Sequence, residues 1–76
     1  MTLNELSIGR DAVITDIRCD RAVRRRLLDM GLTPHTRVLV RKVAPLGDPI
    51  EISLRGYELT LRRDEACCIF VREDTE

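Results

Sequence analysis

The sequence predicts a small, mainly β protein in which five short antiparallel strands curl into a barrel and one short helix is inserted after the first strand. Three observations carry this. Apolar and polar residues alternate over short runs such as "IEISLR" and "ELTLR", the period of a half-buried strand. Turn residues punctuate the runs at short intervals, in "TPHT", "APLGDP" and "GY". The chain has 76 residues, near the lower end of what folds alone, and closing a small sheet on itself removes exposed edges. With one Phe, one Tyr and no Trp in a chain that is 43% hydrophobic, the core must be aliphatic.

The elements follow in order. Thr2 and Glu5 have capping-box spacing, so residues 2–6 form a single helical turn with Leu3 and Leu6 directed inward. A first strand covers residues 11–18. Asp20 is a good N-cap for a helix over residues 21–30, and its end is marked by Gly31 at the left-handed position, Leu32 after it and Pro34 beyond. At 100° per residue, Val23, Leu27 and Met30 fall within about 60° of one another and form the buried stripe. Leu28 lies about 40° from Arg24 and faces away from that stripe. The segment "RVLVRKV" is a second strand and "APLGDP" a structured loop. Two strands follow, residues 50–55 and 58–62, with Gly56-Tyr57 between them as a tight hairpin turn in which Gly56 takes positive φ. "RDEA" is a one-turn connector and "CCIFV" the closing strand. Together these make a five-stranded SH3-like barrel. Residues 1–72 form a single domain, and the acidic tip at residues 73–76 frays.

Charge and composition exclude several functions. Lys and Arg total 13 and Asp and Glu total 13, a balance that argues against a dedicated nucleic-acid binder. The balance is locally uneven: residues 18–42 hold eight Arg or Lys against Asp20 and Asp29, and residues 64–76 hold five acids against Arg72. Arg24, Arg25 and Arg26 sit about 100° apart on a helix and make no single phosphate-facing stripe. The longest apolar run, residues 66–71, is too short to cross a bilayer, and the first residues lack a signal-peptide pattern. Three cysteines without C-x-x-C spacing fit a reducing compartment, so the expected location is cytoplasmic.

Catalytic chemistry has few candidates. His35 is the sole histidine and follows a proline in a turn, where a solvated loop residue is the ordinary outcome. No Gly-Lys-Ser/Thr phosphate loop is present, and no cofactor is implied. Cys19, His35, Cys67 and Cys68 nominally total a zinc tetrad. Yet Cys67 and Cys68 are adjacent in an expected strand, where neighbouring side chains point to opposite faces and share one ion poorly. Protein recognition remains. Arg24 and Leu28 form an outward pair on the helix, and Pro45, Leu46 and Pro49 are too many to bury in so small a core. Exposed leucines also leave room for weak self-association.

The segments "RRRLLDMGLTPHTRV" and "RKVAPLGDPIEISLRGYELTLRRDEA" resemble the FeoA family, small cytoplasmic SH3-like proteins of bacterial ferrous-iron uptake. The resemblance runs from "LNELSIG" to "CCIFV", and its most specific pieces are "LLDMGLTP" and "APLGDPIEI". It implies a non-enzymatic accessory that associates with FeoB, the membrane iron transporter with a cytoplasmic GTP-binding domain, and supports its assembly or activity. It also implies that Arg24, Leu28 and the loop at residues 45–49 are the contact regions. Two alternatives follow from it. One of Arg24, Arg25 and Arg26 acts on the transporter's GTPase, or the chain is a stand-alone metal-sensing module related to the C-terminal domain of DtxR-type repressors.

Overall fold

The computed structural model describes residues 1–73. After a 3-10 turn at Leu3–Glu5 come β1 (Asp11–Ile17), α1 (Arg21–Asp29), β2 (Arg37–Val43), β3 (Ile50–Leu54), β4 (Tyr57–Leu61), α2 (Arg63–Ala66) and β5 (Ile69–Glu73). The five strands make one antiparallel sheet in the order β4-β3-β2-β1-β5. Two ladders carry an extra residue, Thr15 in the β1–β5 pair and Arg41 in the β2–β3 pair. Bulges of this kind bend a strand and sharpen its twist, which is how so few residues curl round a core.

The end strands β4 and β5 do not pair with each other among the described residues. The N-terminal segment covers the outer edge of β5 instead, through a bridge between Thr2 and Phe70 and a bond from the Val71 amide to the Met1 carbonyl at 2.9 Å. Those contacts turn Leu3 and Leu6 inward, where both are buried. The Glu5 carboxylate accepts from the Thr2 amide at 2.8 Å, which anchors the turn.

The core within the barrel is aliphatic, as the composition requires. Ile14, Val38, Val40, Ile52, Leu61 and Ile69 are fully buried, and Leu27 and Leu32 bring the C-terminal end of the helical insertion into the same cluster. Ile50, Ile52 and Leu54 alternate with less buried neighbours along β3, the strand period read in the sequence.

Several boundaries differ from expectation. The β3–β4 turn is Arg55-Gly56, one residue earlier than Gly56-Tyr57, and both residues have positive φ, 48° and 83°. Two successive positive values make the mirror-image turn whose twist matches a hairpin. β5 begins two residues later than "CCIFV", because the end of α2 takes up both cysteines. The Cys67 amide bonds the Arg63 carbonyl at 2.9 Å and the Cys68 amide bonds the Glu65 carbonyl at 3.1 Å. Cys67 and Cys68 are therefore not strand neighbours. Glu73, assigned from sequence to the frayed tip, lies in β5 opposite Ala12, and its carboxylate pairs with Arg10 at 2.5 Å. The rest of the tip, residues 74–76, lies outside the described residues.

Candidate partner-binding site

The helix α1 starts as predicted: the Asp20 carboxylate accepts from the Val23 amide at 2.9 Å. It also ends as predicted. Gly31 has φ 98°, and the Leu32 amide returns to the Leu27 carbonyl at 3.1 Å, which sets Leu32 in the core. Leu27 is fully buried, with Val23 and Met30 half-buried beside it. Leu28 departs from expectation. It is half-buried and packs against the core rather than facing away. A helical leucine lies over the turn that precedes its own Cα, so a short helix on a curved sheet draws both of its flanks into contact.

Two tertiary contacts that the sequence did not reveal hold the C-terminal end of α1. The Tyr57 hydroxyl donates to the Met30 carbonyl. Arg55 reaches the Gly31 carbonyl at 3.4 Å and donates to Thr33 Oγ1 at 3.0 Å and Thr36 Oγ1 at 2.8 Å. A cation and a hydroxyl thus meet the terminal carbonyls that a helix leaves unpaired. The only sequence signal was the pairing of a hairpin tip with a helix end, which spacing alone does not disclose.

The three arginines of α1 have separate contacts. Arg24 donates to the Ile17 carbonyl at 3.3 Å, and Arg26 pairs with Glu65 of α2. Arg25 is exposed and, among the described residues, has no side-chain partner, Asp29 included. On the other side of α2, the Arg63 amide bonds Asp48 Oδ1 at 3.0 Å, which fixes the loop between β2 and β3. That loop closes on itself through the Ala44 amide to the Pro49 carbonyl at 3.0 Å. Pro45, Leu46 and Pro49 are all exposed, and Leu46 reaches 90% exposure, well above the other exposed large hydrophobics Met1, Ile8 and Tyr57. α2 therefore connects the two regions singled out in the sequence, with α1 held to it by Arg26–Glu65 and the loop by Asp48–Arg63.

Two clefts border these regions. One of about 290 Å³ lies beside the loop and includes Lys42, Val43, Pro49 and Thr60 in its wall. The other, about 320 Å³, lies between α1 and α2, with Cys19, Val23, Arg26, Glu65 and Cys68 among its walls. Burial and the adjoining Cys19 side chain push the Cys68 thiol up to about 11, with nearby Cys67 and Asp20 acting in the same sense. His35 is not part of either wall. It is exposed with φ 74°, and its amide bonds the Ile14 carbonyl at 2.7 Å. Cys67 is exposed. Among the described residues no three His, Cys, Asp or Glu side chains converge as a metal-binding group, so the four nominal ligands are not assembled. No helix among them is long and apolar enough to cross a membrane.

A bent five-stranded sheet, a docked helix and an exposed proline loop define a small SH3-like domain. The FeoA domain family matches residues 1–73, and the chain belongs to that family, whose members serve ferrous-iron transport. It is 37% identical over 71 residues to the "Fe(2+) transport protein A/Fe(2+) transporter FeoB fusion protein" of Porphyromonas gingivalis. That match takes in 93% of this chain and only 8% of the fusion protein. Among solved structures, the FeoA protein of Chlorobium tepidum is 46% identical, with a TM-score of 0.89 over 96% of this chain and 70% of its own. Stenotrophomonas maltophilia FeoA, solved with zinc and described as a prokaryotic SH3 domain protein, is 29% identical with a TM-score of 0.79 over 95% and 89%. A manganese-dependent transcriptional repressor shares the fold alone, at 19% identity and a TM-score of 0.89 over 96% of this chain and 36% of its own.

Proposed function

We propose that this chain is a non-enzymatic accessory of ferrous-iron uptake that binds the cytoplasmic region of a FeoB-type transporter and supports its assembly or activity. The observation that carries the reading is the fusion. In the Porphyromonas gingivalis homologue a domain like this one and the transporter are one polypeptide, so the two are permanently at high effective concentration. A separate chain needs a surface to reach the same arrangement. The exposed Pro45, Leu46 and Pro49, joined through α2 to the helix bearing Arg24 and Leu28, supply an apolar loop beside a cationic helix. The test is co-purification of the full transporter with the tagged chain, followed by mapping of the protected surface. Co-purification with protection of the loop and α1 supports the reading, and protection elsewhere moves the docking face.

A second reading has one observation in its favour. Of the three helix arginines, Arg25 has no side-chain partner among the described residues, which leaves its guanidinium available to a transition-state phosphate on the transporter's GTPase. Established arginine fingers accelerate hydrolysis by about 10³–10⁵-fold. GTP turnover by the transporter that is unchanged on adding the wild-type chain rejects this role. A metal-sensing role has no convergent ligand group among the described residues to support it.

A further inference from the structure

We propose that Cys19 and Cys68 are a paired-thiol modification site that takes a low-molecular-weight disulfide and closes to an internal Cys19–Cys68 bond. The placement comes from backbone pairing. β1 and β5 run antiparallel with Ile17 opposite Ile69, and one residue further the Arg18 amide bonds the Cys68 carbonyl at 2.8 Å. That bond carries the chain past Cys68 just as it reaches Cys19. Both side chains then open into the cleft between α1 and α2, and both are half-buried. The Cys68 thiol donates within its own turn to the Asp64 carbonyl at 3.5 Å, so it is held in place rather than free to rotate into solvent.

The environment separates these two thiols from Cys67. Cys67 precedes Cys68 in the chain but is exposed and absent from the cleft wall. It offers a reagent an easy target without an opposed partner from β1. Arg26 and Arg62 stand in the cleft wall among Asp20, Asp64 and Glu65. The wall thus carries both signs of charge, and Arg26 is already paired with Glu65.

The step balances as two thiol–disulfide exchanges. Cys19 gives up its proton and its sulfur attacks one sulfur of the reagent RSSR, forming Cys19–S–SR and releasing one RS⁻. Cys68 then loses its proton, attacks the Cys19 sulfur and releases the second RS⁻. Two electrons pass from the protein thiols to the reagent, and the two protons end on two RSH. The order follows from the bond of the Cys68 thiol to the Asp64 carbonyl, which keeps that proton engaged, and burial with the neighbouring Cys19 pushes the same thiol up. The product joins Cys19, two residues before α1, to Cys68, the residue before β5, so it fastens the root of the helix to the sheet.

The experiment exposes the reduced, folded Cys67→Ser chain to glutathione disulfide and reads the intact mass. The expected product has lost two hydrogens and carries no glutathione, and its Tm stands about 10 °C above that of the reduced form. In the same background Cys68→Ser is expected to stop at a glutathione adduct on Cys19, and Cys19→Ser to stay largely unmodified. Three results overturn the proposal. They are a Cys67→Ser chain that accumulates only adducts or intermolecular dimers, an internal bond that forms in urea but not in the folded chain, and an internal bond that survives Cys68→Ser in otherwise wild-type protein. The last would assign the bond to Cys67. Circular dichroism of each reduced variant confirms that the fold being tested is intact.

Discussion

The guanidinium of Arg55 donates to the hydroxyl of Thr36 at 2.8 Å, joining an exposed hairpin tip to a buried polar group on the far side of the helix end. Thr36 also shares a hydrogen bond with Thr33 at 2.9 Å, and its carbonyl accepts from the Ile14 amide at 2.9 Å. The turn after α1 is thereby tied to β1 on one side and to the β3–β4 hairpin on the other.

Arg55→Ala removes the bonds to Thr33, Thr36 and Gly31 while leaving the backbone at φ 48°. The expected loss in urea unfolding is about 1–2 kcal/mol, reduced from the value for a fully buried cation because Arg55 is exposed. Arg55→Gly loses the same bonds but removes the cost of a left-handed backbone. It is expected to be more stable than Arg55→Ala by about 0.5–1 kcal/mol. An Ala variant as stable as wild type would mean that water replaces Arg55 without loss.

Leu27 and Leu46 test the division between core and surface. Leu27 is fully buried in the aliphatic cluster, so Leu27→Ala is expected to cost about 2–5 kcal/mol, a large share of what a domain of this size has. Leu46 is 90% exposed, and Leu46→Ala is expected to stay within about 0.5 kcal/mol of wild type. Leu28→Ala should fall between them, because that side chain is half-buried. Chemical denaturation of the three variants gives the ranking.

Asp16 supplies a pH dependence. The Arg18 guanidinium, 2.8 Å away, holds the Asp16 carboxyl below its ordinary 3.8, helped by the Ile17 amide and opposed by partial burial. Between the lowered value and 3.8 the unfolded chain carries the proton and the folded chain does not, so acidification favours unfolding. The contribution is therefore present above 3.8 and lost as pH falls through the folded value. Arg18→Ala is expected to raise the Asp16 pKa, read by carboxyl NMR titration. Asp16→Asn should flatten the acid limb of stability measured by denaturant midpoint. An unchanged titration in Arg18→Ala would assign the shift to the backbone.

Local rules made much of this fold legible. Asp20, Gly31, Leu32 and Pro34 act within a few residues of the helix they delimit, and β2 fell on "RVLVRKV" to the residue. Alternation likewise placed Ile50, Ile52 and Leu54 inward. What stayed hidden depends on tertiary contact. Arg55 and Tyr57 are separated from the helix end they cap by more than twenty residues, so no spacing rule reaches them. Leu28 looked outward on an isolated helical wheel because the wheel omits the curvature of the sheet beneath it. Cys67 and Cys68 were read as strand because an apolar run fits either state, and the hydrogen bonds of α2 decided it.

The docking surface leads to the last prediction. Leu28→Asp is a poor probe, since burying a carboxylate beside the core threatens the fold as well as the contact. Leu46→Asp and Arg24→Glu are better, because both residues are exposed and Arg24 gives up a 3.3 Å bond to the Ile17 carbonyl and a minor charge interaction with Asp16. Each is expected to keep a wild-type circular dichroism spectrum. If the loop and helix form one face across α2, each should weaken capture of the transporter at least about fivefold, the scale of a residue that contributes more than about 1 kcal/mol. Breaking the link between them gives an independent measurement. Asp48→Ala removes the acceptor of the Arg63 amide, so the loop loses its tie to α2 while Leu46 keeps its side chain. Weakened capture in that variant, at an unchanged Tm, would show that the position of the loop matters as well as its apolar tip. Normal capture by all three variants would place the transporter's contact elsewhere on the barrel.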